Sequence, residues 1–138
     1  MHLLVRSSSL LIAALGLSAC GGGADQAAKQ AASAASAAEL IAAQRTRGAI
    51  PAGYAADLLD ELRSELGKSG DQLASGGSDG ARAKDKADQL GRVLGEMSKD
   101  VRAGDGAALG RASARAGALG RALTAASARM QAREGGGG

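Results

Sequence analysis

Several residue types on which enzyme chemistry depends are missing from this chain or occur once. The one histidine is His2, the one cysteine is Cys20, and phenylalanine and tryptophan are absent. A zinc site built from cysteine and histidine is therefore excluded, as is a serine or cysteine nucleophile activated by histidine. No disulfide can form within the chain. These absences predict a protein that is not an enzyme and that holds no metal or cofactor.

Aromatic side chains are almost absent as well, since Tyr54 is the only one. Proteins that hold nucleic acid combine a strong basic excess with aromatic rings on which bases stack. Here the formal net charge is only +3. The Gly-Lys-Ser sequence at positions 67–69 does not follow a glycine-rich segment, and Leu62 stands where a phosphate-binding loop has its first glycine. We therefore expect neither nucleic-acid binding nor nucleotide binding.

The first twenty residues have the layout of a secretory signal. Arg6 supplies a positive charge, residues 10–17 form an apolar core, and small residues precede Cys20. The apolar run is too short to span a bilayer. The Leu-Ser-Ala-Cys sequence at positions 17–20 resembles the lipobox of bacterial lipoproteins, in which the cysteine thiol is diacylglycerylated and a dedicated peptidase cuts before it.

This lipoprotein resemblance covers residues 1–23 and implies that Cys20 is the lipidated N-terminus. Residues 1–19 are then a cleaved signal peptide, and 20–23 are the lipidated cysteine with a flexible glycine linker. In the family, an aspartate after the cysteine favours the inner membrane, whereas Gly21 stands here. The resemblance thus implies a lipid anchor on the periplasmic face of the outer membrane. The alternative is an ordinary signal peptide that ends at Ala19 and leaves a free thiol.

Glycine, proline and capping residues divide the rest of the chain into four predicted helices. Helix A is followed by Gly48 and Pro51, and Asp105 is suited to cap helix D. The predicted bounds are 24–47 for helix A, 54–74 for helix B, 79–104 for helix C and 105–132 for helix D.

Apolar residues recur at steps of three and four in helices B, C and D, which predicts one buried stripe on each. The fold class is therefore predicted to be all-α, a small antiparallel bundle of three helices, or of four if helix A joins. The stripe of helix C is Ala83, Ala87, Leu90, Leu94, Met97 and Val101; that of helix D is Leu109, Ala112, Ala116, Leu119, Leu123, Ala126 and Met130.

Charge favours three helices over four. Helix B has an acidic excess and helix D a basic excess. These two helices touch in a three-helix bundle but are diagonal in an up-and-down bundle of four. We therefore predict a bundle over residues 54–132, an Ala-rich helical tether over 24–53 and a flexible glycine tail over 133–138.

Glycines inside the predicted helices allow two interpretations. Each glycine weakens a helix by about 1 kcal/mol relative to alanine. Gly91 and Gly120 fall beside the predicted seams, where a missing side chain lets two backbones approach. Alternatively, they reflect only the biased composition, and the bundle is marginally stable.

Two classes of function remain open. The first is a membrane-anchored envelope lipoprotein that acts as a non-catalytic structural or protein-interaction module, contacting a protein partner or a second copy of itself. The alternative is a small binding module or inhibitor of an envelope enzyme or transporter, or a module that contacts anionic lipid or glycan. The candidate surface for this alternative is the basic face of helix D, formed by Arg111, Arg115, Arg121 and Arg129.

Overall fold

A computed structural model describes residues 23–136 of the chain. These residues form five α-helices and no strand, so the predicted all-α bundle is confirmed, with five helices rather than three or four. None of the described helices is both long enough and apolar enough to cross a membrane. The helices are α1 (Ala24–Thr46), α2 (Ala52–Gly67), α3 (Gly70–Ala74), α4 (Gly77–Ala103) and α5 (Gly106–Gly136).

The four long helices are arranged as an up-and-down bundle. Their connections are short, which makes successive long helices antiparallel. The most extensive contact joins α1 to α5, and α4 packs against both α5 and α2. The contact between α1 and α2 is smaller, and the short α3 packs against α4 and α1. Helices α2 and α5 therefore lie diagonally across the bundle.

The first helix is a member of this bundle, which corrects the prediction of a tether over residues 24–53 beside a three-helix core. One face of α1 is buried, and every residue on that face is alanine. Because alanine is small, the backbones of α1 and α5 approach closely, and this approach compensates for the lack of bulky side chains. The buried residues of α1 are Ala24, Ala27, Ala28, Ala31, Ala34, Ala35, Ala38 and Ala42.

The predicted contact between the acidic helix B and the basic helix D is also wrong. The acidic side chains of α2 meet α4 instead, where Arg102 Nη2 lies 2.9 Å from Asp60 Oδ2 and 3.5 Å from Asp57 Oδ1. An exposed ion pair contributes only about 0.2–1 kcal/mol. The apolar surface that α1 buries therefore outweighs the attraction between net helix charges in deciding which helices are neighbours.

Several helix ends agree with the predictions. Gly48, just after α1, has a left-handed backbone with φ of 73°, and Gly104, which ends α4, has φ of 70°. Both positions favour glycine because a Cβ atom would be strained there. The carboxylate of Asp105 caps α5 by accepting a hydrogen bond of 3.0 Å from the backbone N–H of Ala108.

Other helix boundaries differ from the predictions. Predicted helix B is interrupted, since α2 ends at Gly67 and α3 begins at Gly70. Helix α5 continues beyond the predicted end at residue 132, so the predicted glycine tail is helical as far as Gly136. The ion pair between Arg133 and the buried Asp79 fastens this last part of α5 to α4.

Large aliphatic residues fill the centre of the bundle. Leu94 is fully buried, as the stripe of helix C predicts, whereas Leu119 is only partly buried and packs at the edge of the core. The predicted stripe of helix D is therefore not buried along its whole length. The other fully buried large residues are Leu59, Leu73, Leu90, Met97 and Leu123.

Candidate functional site

The four arginines predicted to form one basic face of α5 point in two directions. Arg111, Arg115 and Arg129 lie along the edge of α5 that borders α4, because nearly whole numbers of helical turns separate them. Arg121 lies about a third of a turn away from Arg115, on the outer face of α5. All four side chains are exposed.

Two of these arginines are paired with carboxylates of α4. Arg115 forms an ion pair with Glu96, and Arg129 Nε lies 3.9 Å from Asp79 Oδ1. Among the residues that the structure describes, Arg111 and Arg121 take part in no ion pair. The predicted basic face is thus partly neutralised along its border with α4.

Asp79 is the most deeply buried charged residue along this border, with 3% of its surface exposed. It lies in the first turn of α4, where the helix dipole favours a negative charge. Arg133 Nε is 3.2 Å from its Oδ2 atom, although no hydrogen bond of good geometry reaches that oxygen within the described residues. Arg129 and Arg133 therefore share one carboxylate.

The start of α1 meets this same end of the bundle. Gly76 and Gly80 have no room for a side chain, because a Cβ atom would collide with Ala24 at Gly76 and with the carbonyl of Leu73 at Gly80. The hydroxyl of Ser127 on α5 donates a hydrogen bond of 3.0 Å to the backbone carbonyl of Asp25 on α1. We name this end of the bundle the anchor end, after the predicted lipidation site that precedes α1 in the sequence. It comprises the first turns of α1 and α4, the helix α3 and the last turns of α5.

An open groove runs between α4 and α5 near the anchor end. Its volume is about 470 Å³, and alanines from both helices form its floor. Three cationic side chains and one carboxylate border it. We call it the α4–α5 groove, and its lining residues are Ala81, Arg82, Ala83, Asp85, Lys86, Ala122, Ala126 and Arg129.

Arg129 belongs to the predicted basic face, whereas Arg82 and Lys86 were not predicted to be part of a site. These two lie one turn apart on α4 and beside the apolar stripe that begins at Ala83, a pattern that places them on one edge of the helix. That pattern was readable from the sequence. The groove was not, because it also requires α5 to lie against this edge of α4.

Asp60 on α2 is held in the charged form. The hydrogen bond of 2.9 Å that Arg102 donates to Asp60 lowers the pKa of this carboxyl below its ordinary value of 3.8. A catalytic general acid needs the opposite, a pKa raised towards neutrality. Asp57 and Asp60 therefore serve to join α2 to α4. Within residues 23–136, no group of three histidine, cysteine or acidic residues is placed to hold a metal ion.

The predicted lipidation site, Cys20, lies outside the described residues. No protein family, curated protein or solved structure matches the chain.

Proposed function

We propose that the protein is an envelope lipoprotein, anchored by lipid on Cys20, whose helical bundle is a non-catalytic structural or protein-interaction module. The observation that carries this proposal is the Leu-Ser-Ala-Cys sequence at 17–20, which follows an apolar segment and precedes three glycines. Acyl chains contribute about 0.8 kcal/mol per buried methylene, so two or three chains give stable attachment where one does not.

The geometry of the bundle is compatible with a short anchor. Helix α1 begins at Ala24, so only Gly21 to Gly23 separate it from Cys20. Three residues extend over about 10 Å at most. On this proposal the anchor end faces the lipid headgroups, and the opposite end of the bundle points into the periplasm. With Gly21 after the cysteine, we propose the outer membrane as the location.

A module of this kind needs a surface for its partner. Leu40 on α1 and Tyr54 on α2 are the large apolar side chains that remain exposed in the described part of the chain, at 53% and 48%. Leu40 lies in the second half of α1 and Tyr54 in the first turn of α2, both towards the end opposite the anchor end. They supply apolar contact area at a distance from the membrane.

The alternative function, a binding module or inhibitor that uses basic residues of α5, is favoured by Arg111 and Arg121. Both are exposed and have no ion pair within the described residues. A homodimer in light scattering would favour self-association. A different protein recovered by cross-linking, and lost in an Arg111→Ala/Arg121→Ala variant that melts normally, would favour the alternative.

The anchor is tested by replacing Cys20 in the full chain. Cys20→Ser should leave the protein uncleaved or release it from membranes, because no thiol remains to accept the diacylglyceryl group. Mass spectrometry and membrane fractionation measure both properties. As a matched control, Ser18→Cys combined with Cys20→Ser keeps one thiol two positions earlier and should also fail. A Cys20→Ser protein with the mass and membrane fraction of the original would contradict the proposal.

A further inference from the structure

The α4–α5 groove combines a cationic border with a floor of small residues. We infer that it binds the phosphate headgroup of an anionic phospholipid in the membrane to which Cys20 is attached. This inference rests on the proposed lipid anchor. It names a ligand and a site on α4 and α5, whereas the predicted basic face lay on α5 alone.

The side chains at the border suit a phosphate group. Arg82 and Lys86 approach from α4, and Arg129 approaches from α5. Guanidinium and ammonium groups donate charge-assisted hydrogen bonds to phosphate oxygens, and arginine donates two in parallel. The alanine floor at Ala122 and Ala126 leaves the space open. A volume of about 470 Å³ is within the range of small-molecule sites, about 300–1,000 Å³.

The cations at this border are only partly neutralised by their surroundings. Arg82 and Lys86 form no ion pair within the described residues. Arg129 faces Asp79, but Arg133 Nε is closer to that carboxylate, at 3.2 Å against 3.9 Å. One carboxylate thus serves two arginines, which leaves a positive charge in excess.

Asp85 is the one acidic residue that lines the groove. Its Oδ2 atom accepts a hydrogen bond of 2.8 Å from Gln89 Nε2, one turn further along α4. The three cations of the border therefore outnumber its single carboxylate, and the groove attracts anions.

The position of the groove identifies the ligand as a lipid rather than a soluble phosphate. Arg82 lies in the second turn of α4 and Arg129 near the end of α5, so the groove opens beside the anchor end. A linker of about 10 Å keeps this end at the headgroup layer. Tethering raises the effective concentration of headgroups around the groove to the millimolar range. A cation near an anionic membrane surface contributes about 1 kcal/mol, which is about a fivefold gain in affinity.

The test uses residues 20–138 with Cys20→Ser, the cleaved chain without its lipid, which contains all five helices. Binding is measured by co-sedimentation with vesicles of phosphatidylcholine alone or with phosphatidylglycerol added. We expect binding only with phosphatidylglycerol, and Arg82→Gln/Lys86→Gln should weaken it about 30-fold. The matched control, Arg111→Gln/Arg121→Gln, removes the same charge outside the groove and should weaken it less than about threefold. Circular dichroism confirms that each variant is folded.

A third variant should strengthen vesicle binding, a result that loss of folding cannot explain. Asp85→Asn removes the carboxylate of the groove and should strengthen binding about fivefold. Equal losses in Arg82→Gln/Lys86→Gln and Arg111→Gln/Arg121→Gln would overturn the inference, because attraction would then depend on net charge alone. No effect of Asp85→Asn would also overturn it, because a phosphate bound in the groove would respond to the loss of that carboxylate. So would binding to phosphatidylcholine vesicles of equal strength. Competition by millimolar inorganic phosphate would assign the groove to a soluble anion instead of a lipid. Since Cys20 is absent here, these results are independent of the acylation test.

Discussion

The glycine at position 120 offers a direct test of how α1 and α5 pack. A Cβ atom at Gly120 would lie 2.8 Å from the Cβ atom of Ala35 on α1, whereas carbon atoms in contact prefer about 3.5–4.0 Å. Gly110 lies on the same helix, and a Cβ atom there would have nothing within 4 Å. The same substitution at the two positions therefore separates helix propensity from packing.

Gly110→Ala should stabilise the protein. Alanine is about 0.8–1.0 kcal/mol more favourable than glycine inside a helix, and nothing opposes that gain at an open position. Gly120→Ala has the same gain but overpacks the α1–α5 contact, which costs about 1–3 kcal/mol. We therefore expect Gly120→Ala to be neutral or destabilising by up to about 2 kcal/mol, and the two variants to differ by about 1–3 kcal/mol.

Urea denaturation followed by circular dichroism measures both free energies of unfolding. Combining Gly120→Ala with Ala35→Gly removes the opposing Cβ atom and should recover most of the packing loss, giving a coupling of about 1–3 kcal/mol in the double-mutant cycle. Equal stabilisation by Gly110→Ala and Gly120→Ala, with no coupling to Ala35, would refute the packing of α1 on α5. A tether over residues 24–53 would then be the better description.

Two further predictions concern the core and the pH dependence of stability. Leu94→Asp places a carboxylate at a site with 0% exposure and should abolish cooperative thermal melting. Leu119→Asp, at the partly buried edge of the core, should lower the free energy of unfolding by only about 1–3 kcal/mol and leave the melting cooperative. Equal effects of the two variants on the melting curve would contradict the burial pattern. The lowered pKa of Asp60, due first to Arg102, means that this group stabilises the fold above pH 3.8 and that the contribution is lost as the pH falls through its folded-state pKa. Because Asp60 is half exposed, Asp60→Asn should lower the free energy of unfolding by about 0.2–1 kcal/mol at pH 7 and by less below pH 4. If the urea midpoints of the variant and the original protein differ by the same amount at every pH, the Arg102 contact is contradicted.

The parts of the fold that the sequence predicts are those governed by local physics. The stripes of predicted helices C and D lie mostly on the buried faces of α4 and α5, because a spacing of three and four residues places side chains on one side of a helix. Gly104 and Asp105 mark the turn between these helices through their own backbone and side-chain preferences. Each of these features depends on residues close together in the chain.

Membership of α1 in the bundle could not be predicted in this way. Its larger aliphatic residues are Leu40 and Ile41, and Leu40 remains 53% exposed. The burial of α1 depends instead on contacts between its alanines and small residues of α5, such as that of Ala35 with Gly120. That match is a property of two helices and of their relative register. A single helix with a row of alanines has the same pattern whether it packs or not.

The groove could not be predicted from charge, because net charge is a property of a whole helix, whereas a neighbouring helix contacts only one edge of it. Basic and acidic residues nearly balance over α4, so its total charge gives no reason to expect an anion site. Its two edges differ in what they meet: Arg102 reaches the acidic residues of α2, while Arg82 and Lys86 face α5 across the groove. Since α4 lies between α2 and α5, it provides ion-pair partners for both of them. The acidic residues of α2 and the basic residues of α5 therefore do not have to contact each other. Charge therefore becomes informative about function only after packing has assigned each edge of a helix to a neighbour.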